Sequence, residues 1–219
     1  MFKYMKKEYA DRLLVMGQLR IGTLHDYRST EHKSGIADVD EGKKIVSHHI
    51  KGLNVVDSET PENAENIDFR ALSEFNAVAM RNCKNVVFQN VGLRRNIDSP
   101  NFFVFCTSTA LSKTTMYEFE GADACLEIFD SANFYSLLTI ALNRITPVRF
   151  LGVQKVAYKN RTEDWNGVDW GTHPALIKHP DYFSQSEIRA MWVPLHDRVI
   201  HPVITGHWRL GEFCRLIHI

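Results

Sequence analysis

Apolar and polar positions alternate most cleanly near the end of the chain, from Glu187 to Val193. Ile188, Ala190 and Trp192 fall on one face; Glu187, Arg189, Met191 and Val193 fall on the other. The pattern predicts a strand that opens on a carboxylate, two residues after the amide of Gln185. A helical period stands out over 130–145, where Phe134, Leu137, Leu138, Ala141 and Ile145 make one stripe and Asp130 or Ser131 supplies the cap. A second helix is predicted over 6–17, with Tyr9, Leu13 and Met16 near helical spacing and Gly17 as its stop. A third is expected within 69–82.

Short apolar runs predict further strands at 1–5, 44–50, 53–57, 101–106, 122–129, 148–158, 201–205 and 208–219, the last with Gly211 as a bulge. Residues 57–68 hold five acids and no base, and read as a solvated loop. Two longer polar stretches, 29–44 and 159–186, are of a length that is uncommon in a compact domain without a task. The expected fold is α+β: mixed β-sheets with a few flanking helices, in a single domain over 1–219.

Composition narrows the classes. The chain is 44% hydrophobic, enough for a core, and its 26 basic residues balance 26 acidic ones. That argues against a uniformly basic nucleic-acid surface and leaves room for a local basic cleft, with Lys155, Lys159, Arg161 and Lys178 as candidates. Cys83, Cys106, Cys125 and Cys214 are widely spaced with no CxxC pair, which fits reduced, mostly buried thiols. The N-terminal stretch lacks an apolar signal region, and no stretch approaches a membrane span. A cytoplasmic protein without membrane contact is the expectation.

Three clusters carry candidate chemistry. Glu187 could aim a fixed carboxylate into a cleft, or simply pair with Arg189 on its own strand face. Thr107, Ser108 and Thr109 end an apolar strand; they could bind ribose hydroxyls or only build a turn. Arg28 leads into a loop with Asp38, Asp40 and Glu41; it could clamp a pyrophosphate or pair with those acids. Those acids alternatively suggest a metal-dependent nuclease, but they lack the remaining ligands of a calcium loop, and the ten histidines lack zinc spacing. No metal site is expected.

In order, these clusters resemble the ADP-ribosyltransferase superfamily, of the bacterial toxin or anti-phage kind (DarT-like or CmdT-like). "FCTSTA" matches the middle hydroxyl motif through Thr107, Ser108 and Thr109. "FSQSEIR" matches the late Gln-x-Glu motif through Gln185 and Glu187. The first strand departs from the family, with Lys3 and Tyr4 where Arg or His is usual. The resemblance implies an NAD-consuming transferase with Glu187 catalytic and Gln185 on the acceptor-recognition loop. It implies that Arg28 or Arg20 contacts NAD beside the 107–109 hydroxyls, and that Trp165, Trp170, Tyr182 and Phe183 are available for stacking. It also implies a nucleic-acid acceptor and a neutralising antitoxin or chaperone. The rival expectation is a non-catalytic sensor or interaction module of a defence complex with the same fold.

Overall fold

The structure is a computed structural model describing residues 1–29 and 37–218. Residues 30–36, part of the polar stretch at 29–44, lie outside the described residues. In chain order the elements are β1 (Phe2–Met5), α1 (Lys7–Met16), β2 (Gln18–Thr23), β3 (Lys43–Asp57), α2 (Ile67–Glu74), β4 (Lys84–Asp98), β5 (Phe103–Ser108), α3 (Lys113–Tyr117), β6 (Ala124–Ile128) and α4 (Ser131–Asn143). There follow β7 (Val148–Lys155), β8 (Ala157–Tyr158), β9 (Thr162–Asp164), β10 (Ile177–Lys178), β11 (Glu187–Pro194), β12 (Val203–Gly206) and β13 (Cys214–Ile217). The class is α+β. The chain divides into two compact units.

Unit 1 comprises Met1–Gly42, Ser99–Lys159 and Ala175–Ile219. Its main sheet has the order β12-β2-β5-β1-β6-β13, with β11 on β5 and β7 on β11. All of these pairings are antiparallel. The strand β5 is central. Along one edge it meets β11, with Ser108 opposite Glu187 and Phe103 opposite Trp192. Its other edge is shared: β2 pairs at Phe103 and Val104, and β1 at Ser108.

The main core lies between this sheet and helices α1 and α4. Phe103, Phe105, Ala190 and Trp192 meet Leu13, Phe134 and Leu138 there. Val104 and Met191 point the other way, into a second cluster with Leu24, Phe102 and Ala175. Both faces of β11 are thus covered, and Glu187 to Trp192 are all buried despite the alternation. Trp192 donates its indole N–H to Thr139 Oγ1 at 2.8 Å, so the largest core side chain is also satisfied.

Helix α1 differs from its expected stripe. Tyr9 and Met16 are 48% and 59% exposed, while Ala10 and Leu13 face the core. The helix rests on its smaller residues, and Tyr9 turns toward a cleft described below. It stops at Gly17 as expected, in left-handed backbone at φ 65°. A side chain there would also collide with the carbonyl of His207, so only glycine fits. Near the C-terminus, the continuous strand expected over 208–219 is a 3₁₀ turn at Leu210–Phe213 followed by β13.

Unit 2 comprises Lys43–Asp98 and Asn160–Pro174. Strands β3 and β4 form one long antiparallel pair, fifteen residues to a strand, and β9 joins β3 in parallel. The two strands expected at 44–50 and 53–57 are one, because Gly52 stays in the ladder opposite Gln89. Val46, Ile50, Leu53 and Val55 pack on Ala71 and Leu72 of α2 and on Trp165. Asn66 caps α2 through its side chain. The helix ends well before residue 82, and Asn76 adopts left-handed backbone at φ 54°.

Candidate functional site

A cleft of about 610 Å³ opens in unit 1. Its walls draw on β1 (Lys3), β2 (Arg20), β5 (Cys106), β10 (Lys178) and β11 (Glu187, Arg189). β1 and β2 occupy different stretches of the same β5 edge. Between their pairings, Lys3 Nζ donates to the carbonyl of Cys106 at 2.7 Å. Gly22 lets the ring of Tyr27 close on β2, since a Cβ there would stand 2.8 Å from the tyrosine hydroxyl.

Glu187 starts β11 and lies on the wall of this cleft, buried. Arg189 Nε donates to its Oε1 at 2.6 Å, and Lys178 Nζ to its Oε2 at 2.8 Å. Arg189 also grips Glu41 with two parallel bonds of 2.8 and 2.9 Å, and donates to the carbonyl of Ala175 at 2.6 Å. Burial alone would raise the carboxyl of Glu187. Arg189 and Lys178 outweigh it and hold the group well below the usual carboxylate range. Glu187 is therefore a fixed anion. A carboxylate has about four acceptor positions, and two are used here, so capacity remains for a hydroxyl in the cleft.

The structure brings the hydroxyl run and Glu187 onto neighbouring strands, but the hydroxyls shape the turn instead of lining the cleft. Ser108 Oγ accepts from Ala110 N–H at 2.9 Å. Thr109 donates twice to the carbonyl of Ser186, from N–H at 2.9 Å and from Oγ1 at 3.3 Å. Ser186 sits in left-handed backbone at φ 44°, so these bonds hold the bend that delivers Glu187. Thr107 Oγ1 lies 3.8 Å from Met1 Sδ. The β5 residue on the cleft wall is Cys106, whose thiol burial pushes up to about 12. It stays protonated at neutral pH and is no nucleophile there. Gln185 is fully buried, and its Oε1 accepts from Lys178 Nζ at 2.6 Å. It secures the network from the turn that precedes β11.

The two candidate arginines separate. Arg28 Nε donates to the backbone carbonyl of Glu41 at 2.7 Å, and the side chain is not on the cleft wall. Arg20 is on that wall and pairs with Asp26 at 2.7 Å. The expected pairing of Arg28 with acid side chains is replaced for Glu41, whose carboxylate goes to Arg189. That fork also occupies one of the three acids on which the nuclease reading rests. Among the described residues no group of three metal-capable side chains converges.

Of the four cations proposed for a basic cleft, Lys178 alone belongs to the wall. Trp165 and Trp170 pack in the core of unit 2, and Tyr182 carries Lys178 Nζ 4.7 Å above its ring. Phe183 is 70% exposed. The wall also includes Lys6, Tyr9, Arg12, Tyr27 and Phe119, none of them among the candidates named from sequence for the site. Tyr9 and Arg12, three apart on α1, carried a signal: a polar-aromatic face next to the buried one. The wall holds six cations (Lys3, Lys6, Arg12, Arg20, Lys178, Arg189) against three carboxylates (Glu41, Glu120, Glu187), in a chain of zero net charge. The volume suits a small-molecule ligand, and the surplus of positive charge suits an anion. Among the described residues no helix is long and apolar enough to cross a membrane.

Comparison with protein-family models, with curated proteins and with solved structures finds no match.

Proposed function

We propose that this protein is an NAD-dependent ADP-ribosyltransferase, a toxin or phage-defence effector acting in the cytoplasm on nucleic acid. One observation carries the reading: Glu187, a carboxylate that Arg189 and Lys178 hold ionised at neutral pH, lies on the wall of a cation-rich cleft with acceptor positions to spare. A nucleotide offers both of the matching features, an anionic phosphate and a ribose diol. Glu187 accepts from a hydroxyl of the nicotinamide-bearing ribose and sets its negative charge against the positive charge that develops there as nicotinamide leaves. Arg189 and Lys178 keep the carboxylate ionised and fixed, so little reorganisation accompanies the step. A toxin of this kind needs restraint, and a neutralising partner protein is part of the proposal.

A second reading is a non-catalytic nucleotide sensor with the same fold. It is favoured by the fact that both oxygens of Glu187 already hold a cation. One experiment separates the two. The protein is incubated with labelled NAD and separate RNA, DNA and protein pools, and nicotinamide release is followed. Label on nucleic acid, lost in Glu187→Gln after correction for folded fraction, supports the transferase. NAD binding without nicotinamide release supports the sensor. Neither binding nor release removes both.

A further inference from the structure

The transferase reading leaves open where the cleft would hold a phosphate, and the ion pairs point to one place. Arg189 and Lys178 are matched by the buried carboxylates of Glu41 and Glu187. They add charge to the wall but are already committed. Lys3, Lys6 and Arg12 form no ion pair among the described residues, and Arg20 pairs with Asp26. Lys3 is half-buried, spans the edge of β5 through the Cys106 carbonyl, and lies over the Phe105 ring at 4.9 Å. Lys3 and Arg20 stand on β1 and β2, the two strands that share that edge.

We infer that Lys3 and Arg20 form a phosphate subsite, with Arg12 and Lys6 adding field, and that Asp26 is a competitor built into the fold. Asp26 gives Arg20 the charge-assisted bond that a phosphate oxygen would otherwise make. The Arg20 side chain is 47% exposed and Asp26 18%, so the pair is reachable by solvent and can be exchanged. Ligand phosphate displaces the Asp26 carboxylate from the guanidinium. The observed ion pair thus lowers affinity for the ligand, and the carboxylate tunes how tightly the cleft binds. This deepens the nucleotide reading and rests on it for the identity of the ligand, but the subsite is tested without NAD.

The probe is inorganic pyrophosphate, titrated calorimetrically at low ionic strength into the full chain and into variants whose melting is checked alongside. Arg20→Ala is expected to weaken binding roughly tenfold or more, and Arg20→Lys by less, because the charge is kept and the fork is lost. Lys3→Met is expected to weaken it similarly. Asp26→Asn is expected to tighten it severalfold, the opposite sign from simple damage. Arg28→Ala is expected to leave it unchanged. Unchanged binding in Arg20→Ala, or no tightening in a folded Asp26→Asn, overturns the inference. Pyrophosphate binding that depends on Arg20 without any NAD chemistry would leave the inference standing and remove the transferase reading.

Discussion

Each unit buries a lysine, and the two are handled differently. In unit 2, Lys44 Nζ is enclosed by the Glu163 carboxylate at 2.5 Å, the Thr172 carbonyl at 2.7 Å and the carbonyl of Trp170. All its donors are spent on the unit's own chain, beside an aromatic cluster of Phe75, Trp165 and Trp170. In unit 1, Lys178 is as deeply buried, but it belongs to a chain of ions (Glu41, Arg189, Glu187, Lys178) that ends at a cleft wall. A buried ion enclosed on every side serves the fold. One that borders a cleft also sets the field a ligand would meet.

The largest expected effect breaks the unit 1 chain at its centre. Arg189→Met leaves two buried carboxylates without their shared partner, and should cost about 3–5 kcal/mol in urea unfolding. Lys44→Met takes the buried cation from a single carboxylate, Glu163, which is 20% exposed and can reach water. A smaller loss of about 2–3 kcal/mol is expected, with pyrophosphate binding unchanged. Equal losses would mean that the two buried ion clusters are energetically alike. The smallest effect is acid-dependent. The folded carboxyl of Glu187 lies below its ordinary value of 4.5, so its contribution is present above that pH and lost as pH falls below it. Urea midpoints measured from pH 7 to pH 3 should fall more steeply in the native chain than in Glu187→Gln, which has no carboxyl to titrate.

What could be read from the sequence followed burial. Glu187 to Val193 was legible because its alternation is strict, as was α4, whose Asp130 cap accepts from Asn133 N–H at 3.2 Å. Strand β4 was not. It is largely exposed, and Gln89, Asn90, Gly92 and Asn96 interrupt any apolar period. The hydroxyl run was legible as a strand end, but its side chains are consumed by the Ser186 bend, a choice that periodicity does not carry. Nor does periodicity separate the two candidate arginines. Arg28 precedes a polar loop, as a clamp would, and yet its Nε reinforces the Glu41 backbone, while Arg20 faces the cleft from within a strand.

The sheet that frames the cleft joins distant parts of the chain. Ile21 pairs with Val203, and Phe2 with both Ser108 and Glu127. Such high contact order makes folding slow, because long loops must close before any pairing rewards them. On the ribosome, β2 has no β12 to pair with until residues 203–206 have emerged, and Ile204 of that strand lies on the cleft wall. A chain synthesised only part of the way to β12 therefore lacks a complete binding site, so any activity of the cleft is withheld until residues 203–206 have emerged.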